Sequence, residues 1–203
     1  MRMRGSDSWS IGIGSGGQHH NWPLWIRAAE GIDVPAGGVV PGPLDIAPLP
    51  APTLPSAAPL AEGWLGWWRA VLGLSRPTGP DEIARFVELG PPDFAGLAAW
   101  PLLREVVVRR FAEADDWHRT RSPAGPLVHP PHTPHLSLFV REIERSLGRR
   151  SAPFELEFIL LPVRDDKVRP IDGKRFLVPE RLYDSPAWFD WLRPVITRLA
   201  AGA

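Results

Sequence analysis

The chain has 203 residues, 44% of them hydrophobic, and its 23 basic side chains balance its 23 acidic ones. This length and composition predict a folded protein with a real core, and the lack of basic excess disfavours nucleic acid as a partner. The chain has no cysteine, which excludes disulfides, thiolate nucleophiles and cysteine-ligated metals. Because no apolar run reaches the roughly 18 residues of a membrane helix and no leader-like apolar stretch follows the basic start, we expect a soluble bacterial cytoplasmic protein without a membrane partner.

Residues 1–57 are predicted to form a segment rich in proline, glycine and tryptophan. Residues 9–13 alternate apolar and small side chains as a short strand does, and the apolar run at 22–26 predicts the start of a second strand. Glycines at 14–17 separate the two. We exclude a phosphate-binding loop there because the Lys-Ser/Thr of a P-loop is missing and no helix pattern follows.

The rest of this segment is dominated by proline, of which the whole chain has 25. Between residues 31 and 59 the prolines leave little room for a helix or a central strand, so we expect extended polyproline II structure. Aliphatic side chains between the prolines favour a strap that lies over the domain instead of a free linker.

Residues 58–203 are predicted to form a single α+β domain. Its middle carries about four helices, each with apolar residues recurring at helical spacing and with proline or glycine at its ends. They are expected near residues 58–74, 80–90, 101–121 and 133–147.

In the last third of the chain, the spacing of apolar residues changes from helical to alternating. Apolar and acidic residues alternate from Phe154 to Phe158, and the chain then stays apolar through Leu161, which predicts a strand entering the core. Asp172-Gly173 between two β-like runs predicts a type I′ hairpin with positive φ at both residues. These features predict a small antiparallel meander, closed by a C-terminal helix that begins after Pro186.

Histidines form the most reactive-looking string in the chain, at His129, His132 and His135. Histidine is the commonest metal ligand. In polyproline II geometry, however, His129 and His135 would lie about 19 Å apart, so one ion held by all three is disfavoured. His135 belongs more naturally to the first turn of the helix that begins at Thr133. His129 and His132 remain a candidate pair of metal ligands, with His118 as a third.

The long helix at 101–121 carries a second anomaly. Its predicted apolar face includes Arg110 and His118, and Asp115 lies one turn before His118. One interpretation is that Arg110 pairs with a carboxylate such as Glu113. The other is a catalytic cleft in which Arg110 receives an anion and Asp115 orients His118. Asp165 and Asp166 after the main strand are interpreted chiefly as a solvent-facing turn.

The chain has 10 tryptophans. Those on predicted helices are interpreted mainly as core residues. Because adjacent helical residues diverge by about 100°, one of Trp67 and Trp68 is expected to meet the strap or a partner. The candidate binding tryptophans are Trp9, Trp22, Trp25, Trp67 and Trp68.

These features favour a non-catalytic protein, an adaptor or assembly component that binds another protein and needs no cofactor. One alternative is a metal- or anion-dependent enzyme of hydrolase type, with a divalent metal, that uses the histidines and Arg110. A second alternative is a carbohydrate-binding module that uses exposed tryptophans.

Overall fold

A computed structural model describes residues 2–6, 9–74, 77–121 and 133–202. The chain divides into two compact units, a sheet unit (residues 1–15 and 125–203) and a helical unit (residues 16–124). The predicted α+β class is confirmed. The boundary expected between residues 57 and 58 lies inside the helical unit. Within the described ranges, no helix combines the length and apolarity needed to cross a membrane.

The sheet unit contains a five-stranded sheet in the order β1-β2-β3-β5-β4. Its strands are β1 (Arg2–Ser6), β2 (Trp9–Ser15), β3 (Phe154–Leu161), β4 (Arg169–Pro170) and β5 (Arg175–Pro179). β3 runs parallel to both β2 and β5, and only the outer pairs are antiparallel. The expected antiparallel meander is therefore wrong for the centre of the sheet. The physical reason is the double-faced burial of β3 from Phe158 to Leu161, which is typical of a central parallel strand.

The turn between β4 and β5 also differs from the prediction. Neither Asp172 nor Gly173 has positive φ, so the turn is not type I′. The Asp172 carboxylate instead accepts the backbone N–H groups of Lys174 and Arg175, at 2.8 and 2.9 Å. This side chain closes the turn locally, which removes the need for the left-handed backbone.

Three helices complete the sheet unit: α5 (Thr133–Leu147), α6 (Glu180–Tyr183) and α7 (Ala187–Ala201). Gly148 ends α5 with φ of 65°, a left-handed conformation that glycine adopts without strain. One apolar cluster joins strands and helices, and Phe158 packs edge-on against Trp188 at its centre with a ring separation of 4.9 Å.

The helical unit contains α1 (Gln18–Ala29), α2 (Ala61–Leu74), α3 (Pro80–Glu88) and α4 (Pro101–Arg121). The strand expected at residues 22–26 is wrong, because these residues lie inside α1. All five are buried, so the run shows no polar face that would reveal its helical period. A helix therefore does follow the glycines at 14–17, although the Lys-Ser/Thr of a P-loop is still absent.

Aromatic rings fill the core of the helical unit. Trp22 of α1 lies edge-on to Phe111 of α4 at 5.0 Å, and Trp67 of α2 lies edge-on to Phe94 at 5.9 Å. Edge-to-face packing of this kind adds about 0.5–1.5 kcal/mol per pair beyond the burial of area. These contacts hold α1, α2 and α4 together.

Residues 31–57, which we call the strap, connect α1 to the turn before α2. They form no helix and no regular strand, and only Gly37, Val40 and Leu44 take part in isolated β-bridges. Several aliphatic side chains of the strap are buried nevertheless: Ile32, Val34, Val40 and Leu44. The strap therefore buries these aliphatic residues, as a packed segment does and a solvated linker does not.

Candidate functional site

Arg110 is held in a buried ion pair. Its guanidinium Nη1 lies 3.6 Å from Oε1 of Glu30, and the two side chains are only 7% and 0% exposed. Nε lies 3.3 Å from the Glu113 carboxylate, Nη1 donates to the Ala51 carbonyl, and the group sits 5.3 Å from the Trp25 ring centre. Because a carboxylate already neutralises Arg110, this geometry favours the structural interpretation over anion binding.

His118 is oriented by a residue that sequence analysis missed. The Asn21 amide Nδ2 donates to the Gly16 carbonyl and lies 2.9 Å from Nδ1 of His118. A neutral imidazole that accepts this bond at Nδ1 carries its proton on Nε2. Since Asn21 and His118 are 97 positions apart, no local sequence pattern could reveal the pair.

The environment of His118 disfavours its charged form. Burial is the largest effect and lowers the pKa of His118 below its ordinary 6.5. Asp115 raises this pKa, and Arg119 and Arg121 lower it. The expected orienting role of Asp115 is taken by Asn21, because the Asp115 carboxylate forms an ion pair with Arg119.

The remaining predicted polar residues do not join this pair. Asp165 is a turn residue that accepts the backbone N–H groups of Asp166 and Lys167. It does not face solvent as expected, because its side chain is only 8% exposed and pairs with Arg169. His129 and His132 lie outside the described residues. α5 begins at Thr133, which places His135 in its first turn. Among the described residues, no group of three or more His, Cys, Asp or Glu side chains could hold a metal ion.

The five candidate binding tryptophans are buried: Trp9, Trp22, Trp25, Trp67 and Trp68. These five positions therefore lack the exposed rings that the carbohydrate-binding alternative requires, because their apolar surface is buried. Trp68 meets the strap, where its Nε1 donates to the Val39 carbonyl at 2.8 Å. A sugar would find no accessible face on these rings.

Among the described residues, two of the most exposed apolar side chains lie on α3. No residue of this helix is buried, and Ile83 and Val87 are 50% and 60% exposed. The two side chains are one helical turn apart, so they share a face. Phe86 faces inward and lies 4.2 Å from the His19 ring. Ile83 and Val87 form what we call the α3 stripe.

The helical unit also has a shallow groove of about 580 Å³, lined by residues between 92 and 109. It includes Pro92, four residues after the end of α3, and the half-exposed Val108 of α4. The ion pairs Arg104–Asp93 and Arg109–Glu105 lie along it, and each pair is neutral. The lining residues are Pro92, Asp93, Ala98, Pro101, Arg104, Glu105, Val108 and Arg109.

Comparisons of the chain with protein-family models, with curated proteins and with solved structures find no match. The function is therefore inferred from the residues and their contacts alone. The α3 stripe and the groove are surfaces that sequence reasoning did not single out.

Proposed function

We propose that this protein is a non-catalytic interaction protein that binds a helix of another protein on the α3 stripe. The supporting observation is the stripe itself. An amphipathic helix normally buries its apolar side, whereas α3 leaves both Ile83 and Val87 about half exposed or more. The groove in the same unit offers further accessible apolar surface at Pro92 and Val108.

The shape and charge of the stripe specify the partner. Nine residues of helix are about 13 Å long and present a surface about one helix wide, which suits an amphipathic helix laid against it. The helix carries three acids, Asp81, Glu82 and Glu88, against one base, Arg85. The partner helix is therefore expected to place lysine or arginine beside its apolar residues.

Site-specific photo-crosslinking in the source cells tests this proposal. A photoreactive residue at Val87 or at Val108 should capture the same protein, through an apolar segment with basic flanks. The matched control is Leu138 of α5, which is 59% exposed but lies in the sheet unit. The same reactive residue placed there should not capture that protein.

The captured protein is then purified and its affinity measured by calorimetry. Ile83→Asp/Val87→Asp should weaken binding at least about tenfold, since central apolar contacts dominate such interfaces. Leu138→Asp should leave the affinity unchanged. Equal binding by both variants, equal crosslinking at all three positions, or crosslinking only to a second copy of this chain would each overturn the proposal.

A further inference from the structure

The strap is held on the helical unit mainly through its backbone carbonyls. Trp68 of α2 donates Nε1–H to Val39 O at 2.8 Å. The Arg27 guanidinium of α1 donates to Pro41 O at 2.8 Å and to Val34 O at 2.7 Å. Arg110 of α4 adds a bond to Ala51 O at 3.1 Å. Three helices thus supply side-chain donors to one extended segment.

This arrangement has the chemistry of a proline-rich peptide site. Proline has no N–H, so a proline-rich segment offers acceptors and few donors, and aromatic surfaces with N–H donors recognise it. Tryptophan and arginine are side chains that only donate. Trp64 and Trp68 stack with ring centres 5.9 Å apart, and Arg27 lies 5.1 Å above the Trp64 ring. The donors and the aromatic faces occur together.

The strap residues opposite these donors resemble a short bound ligand. Residues 39–44 read Val-Val-Pro-Gly-Pro-Leu, and Val40, Pro41 and Leu44 are buried while Pro43 is exposed. The hydrogen bonds go to main-chain carbonyls, which any extended segment with the same spacing of apolar side chains presents. Recognition therefore depends on the proline-rich backbone and on two aliphatic anchors.

A separate contact fastens the strap further along. Glu30 Oε2 accepts Thr53 N–H at 2.9 Å and Thr53 Oγ1–H at 2.8 Å. Both bonds depend on the Glu30 carboxylate, which is fully buried beside Arg110. This contact ties the strap down at a point away from residues 39–44.

We infer that the surface of α1 and α2 under residues 39–44 is a binding site for a proline-rich extended peptide of a partner protein, which the strap occupies in cis. Both ends of the strap are tethered, so its effective concentration keeps out a free peptide of equal intrinsic affinity. A partner peptide gains access when residues 39–44 lose their anchors. This site is distinct from the α3 stripe.

The test uses the full-length chain and a fluorescent peptide with the sequence of residues 37–46, followed by anisotropy. Val40→Asp/Leu44→Asp removes the cis anchors and leaves the site intact, so it should bind the peptide at least about tenfold more tightly than the wild type. A peptide with alanine in place of both prolines should bind more weakly. Adding Trp68→Phe, which deletes the donor to Val39 O, should reduce binding to the released variant.

Circular dichroism establishes that each variant is folded. If Val40→Asp/Leu44→Asp does not fold, Thr53→Val provides a second variant. It removes the Oγ1–H bond to Glu30 but keeps the backbone N–H bond, so it weakens only the second fastening and should still raise peptide affinity over the wild type. Ile83→Asp/Val87→Asp should leave peptide binding unchanged. A folded released variant that binds no peptide, or binds both peptides equally, overturns the inference. So does a wild-type dimer that becomes monomeric when the anchors are removed, because the occupant would then be the strap of a second copy.

Discussion

Trp188 of the sheet unit differs from Trp64 and Trp68 of the helical unit in what its indole N–H contacts. In the sheet unit, Trp188 packs against Phe158 and its Nε1 finds no hydrogen-bond acceptor among the described residues. In the helical unit, Trp64 and Trp68 donate Nε1–H to the carbonyls of Pro23 and Val39, whereas Nε1 of Trp22 and Trp67 has no acceptor among the described residues, as at Trp188. Strand ladders already position the backbone in the sheet unit. Val39 lies in the strap, which forms no regular strand, so a side-chain donor satisfies its carbonyl. Trp64 instead joins α2 to the carbonyl of Pro23 in α1.

The largest expected effect breaks the buried ion pair of the helical unit. Arg110→Met leaves the Glu30 carboxylate buried without its cation and should cost about 3–5 kcal/mol in the free energy of unfolding, measured with urea. Adding Glu30→Gln should recover part of this loss. In the sheet unit, Arg193→Met removes an exposed pair with Glu142 and should cost no more than about 1 kcal/mol. Equal costs in the two units would contradict this account.

The next effect concerns two glycines of α2. A Cβ at Gly66 would lie 2.3 Å from Cη2 of Trp100, whereas a Cβ at Gly73 would meet nothing within 4 Å. Gly66→Ala should therefore destabilise the protein by about 1–3 kcal/mol through overpacking. Gly73→Ala should stabilise it by up to about 1 kcal/mol through helix propensity. The thermal unfolding temperatures of the two variants should move in opposite directions. An increase for Gly66→Ala as well would contradict overpacking, because the Trp100 ring would then have to move aside at little cost.

A smaller effect tests the two tryptophan roles directly. Trp68→Phe and Trp188→Phe remove the same atoms from fully buried positions, but only Trp68 loses a hydrogen bond. Trp68→Phe should be the more destabilising by about 1–2 kcal/mol, because it leaves the Val39 carbonyl without its donor. Paired denaturant titrations measure the difference. A larger loss for Trp188→Phe would show that ring packing outweighs the donated bond.

The smallest expected effect is a pH dependence confined to the helical unit. Burial lowers the pKa values of His19 and His118 below 6.5. Their contribution to stability is thus complete above pH 6.5 and is lost as the pH falls through the lowered folded-state values, because the unfolded chain binds those protons first. Amide-exchange protection of α1 should fall between pH 7 and pH 5 more than that of α7. His19→Gln/His118→Gln should remove this difference.

Local signals in the sequence predicted much of the helical architecture. Pro101 opens α4, Thr133 opens α5 and Gly148 follows its end, because caps and breakers act within a few residues. The anomaly at Arg110 was also visible, since a charge on an apolar face needs a partner. The contacts that the sequence did not predict join residues far apart in the chain. Glu30 meets Arg110 across 80 positions, and nothing near either residue selects the other.

Two errors in strand assignment have the same physical origin. The run at 22–26 is buried on all sides in α1, and a short apolar run fits a buried strand as well as a buried helix. The central strand β3 was recognised, but its parallel neighbours were not, because pairing direction depends on segments far away in the chain. The sequence predicted a helix near residues 80–90, but only the structure shows that Ile83 and Val87 on this helix are left uncovered within the described residues.

The pairing of β2 with β3 has a consequence for synthesis on the ribosome. β2 ends at residue 15 and β3 begins at residue 154, so the whole helical unit is translated between the two strands. At typical elongation rates this interval lasts roughly 7–28 s, far longer than a small helical unit needs to fold. The first two strands must therefore wait, unpaired on the β3 side, while the inserted helices form. The N-terminal hairpin is short and rich in glycine and arginine, a composition that limits aggregation during such a delay.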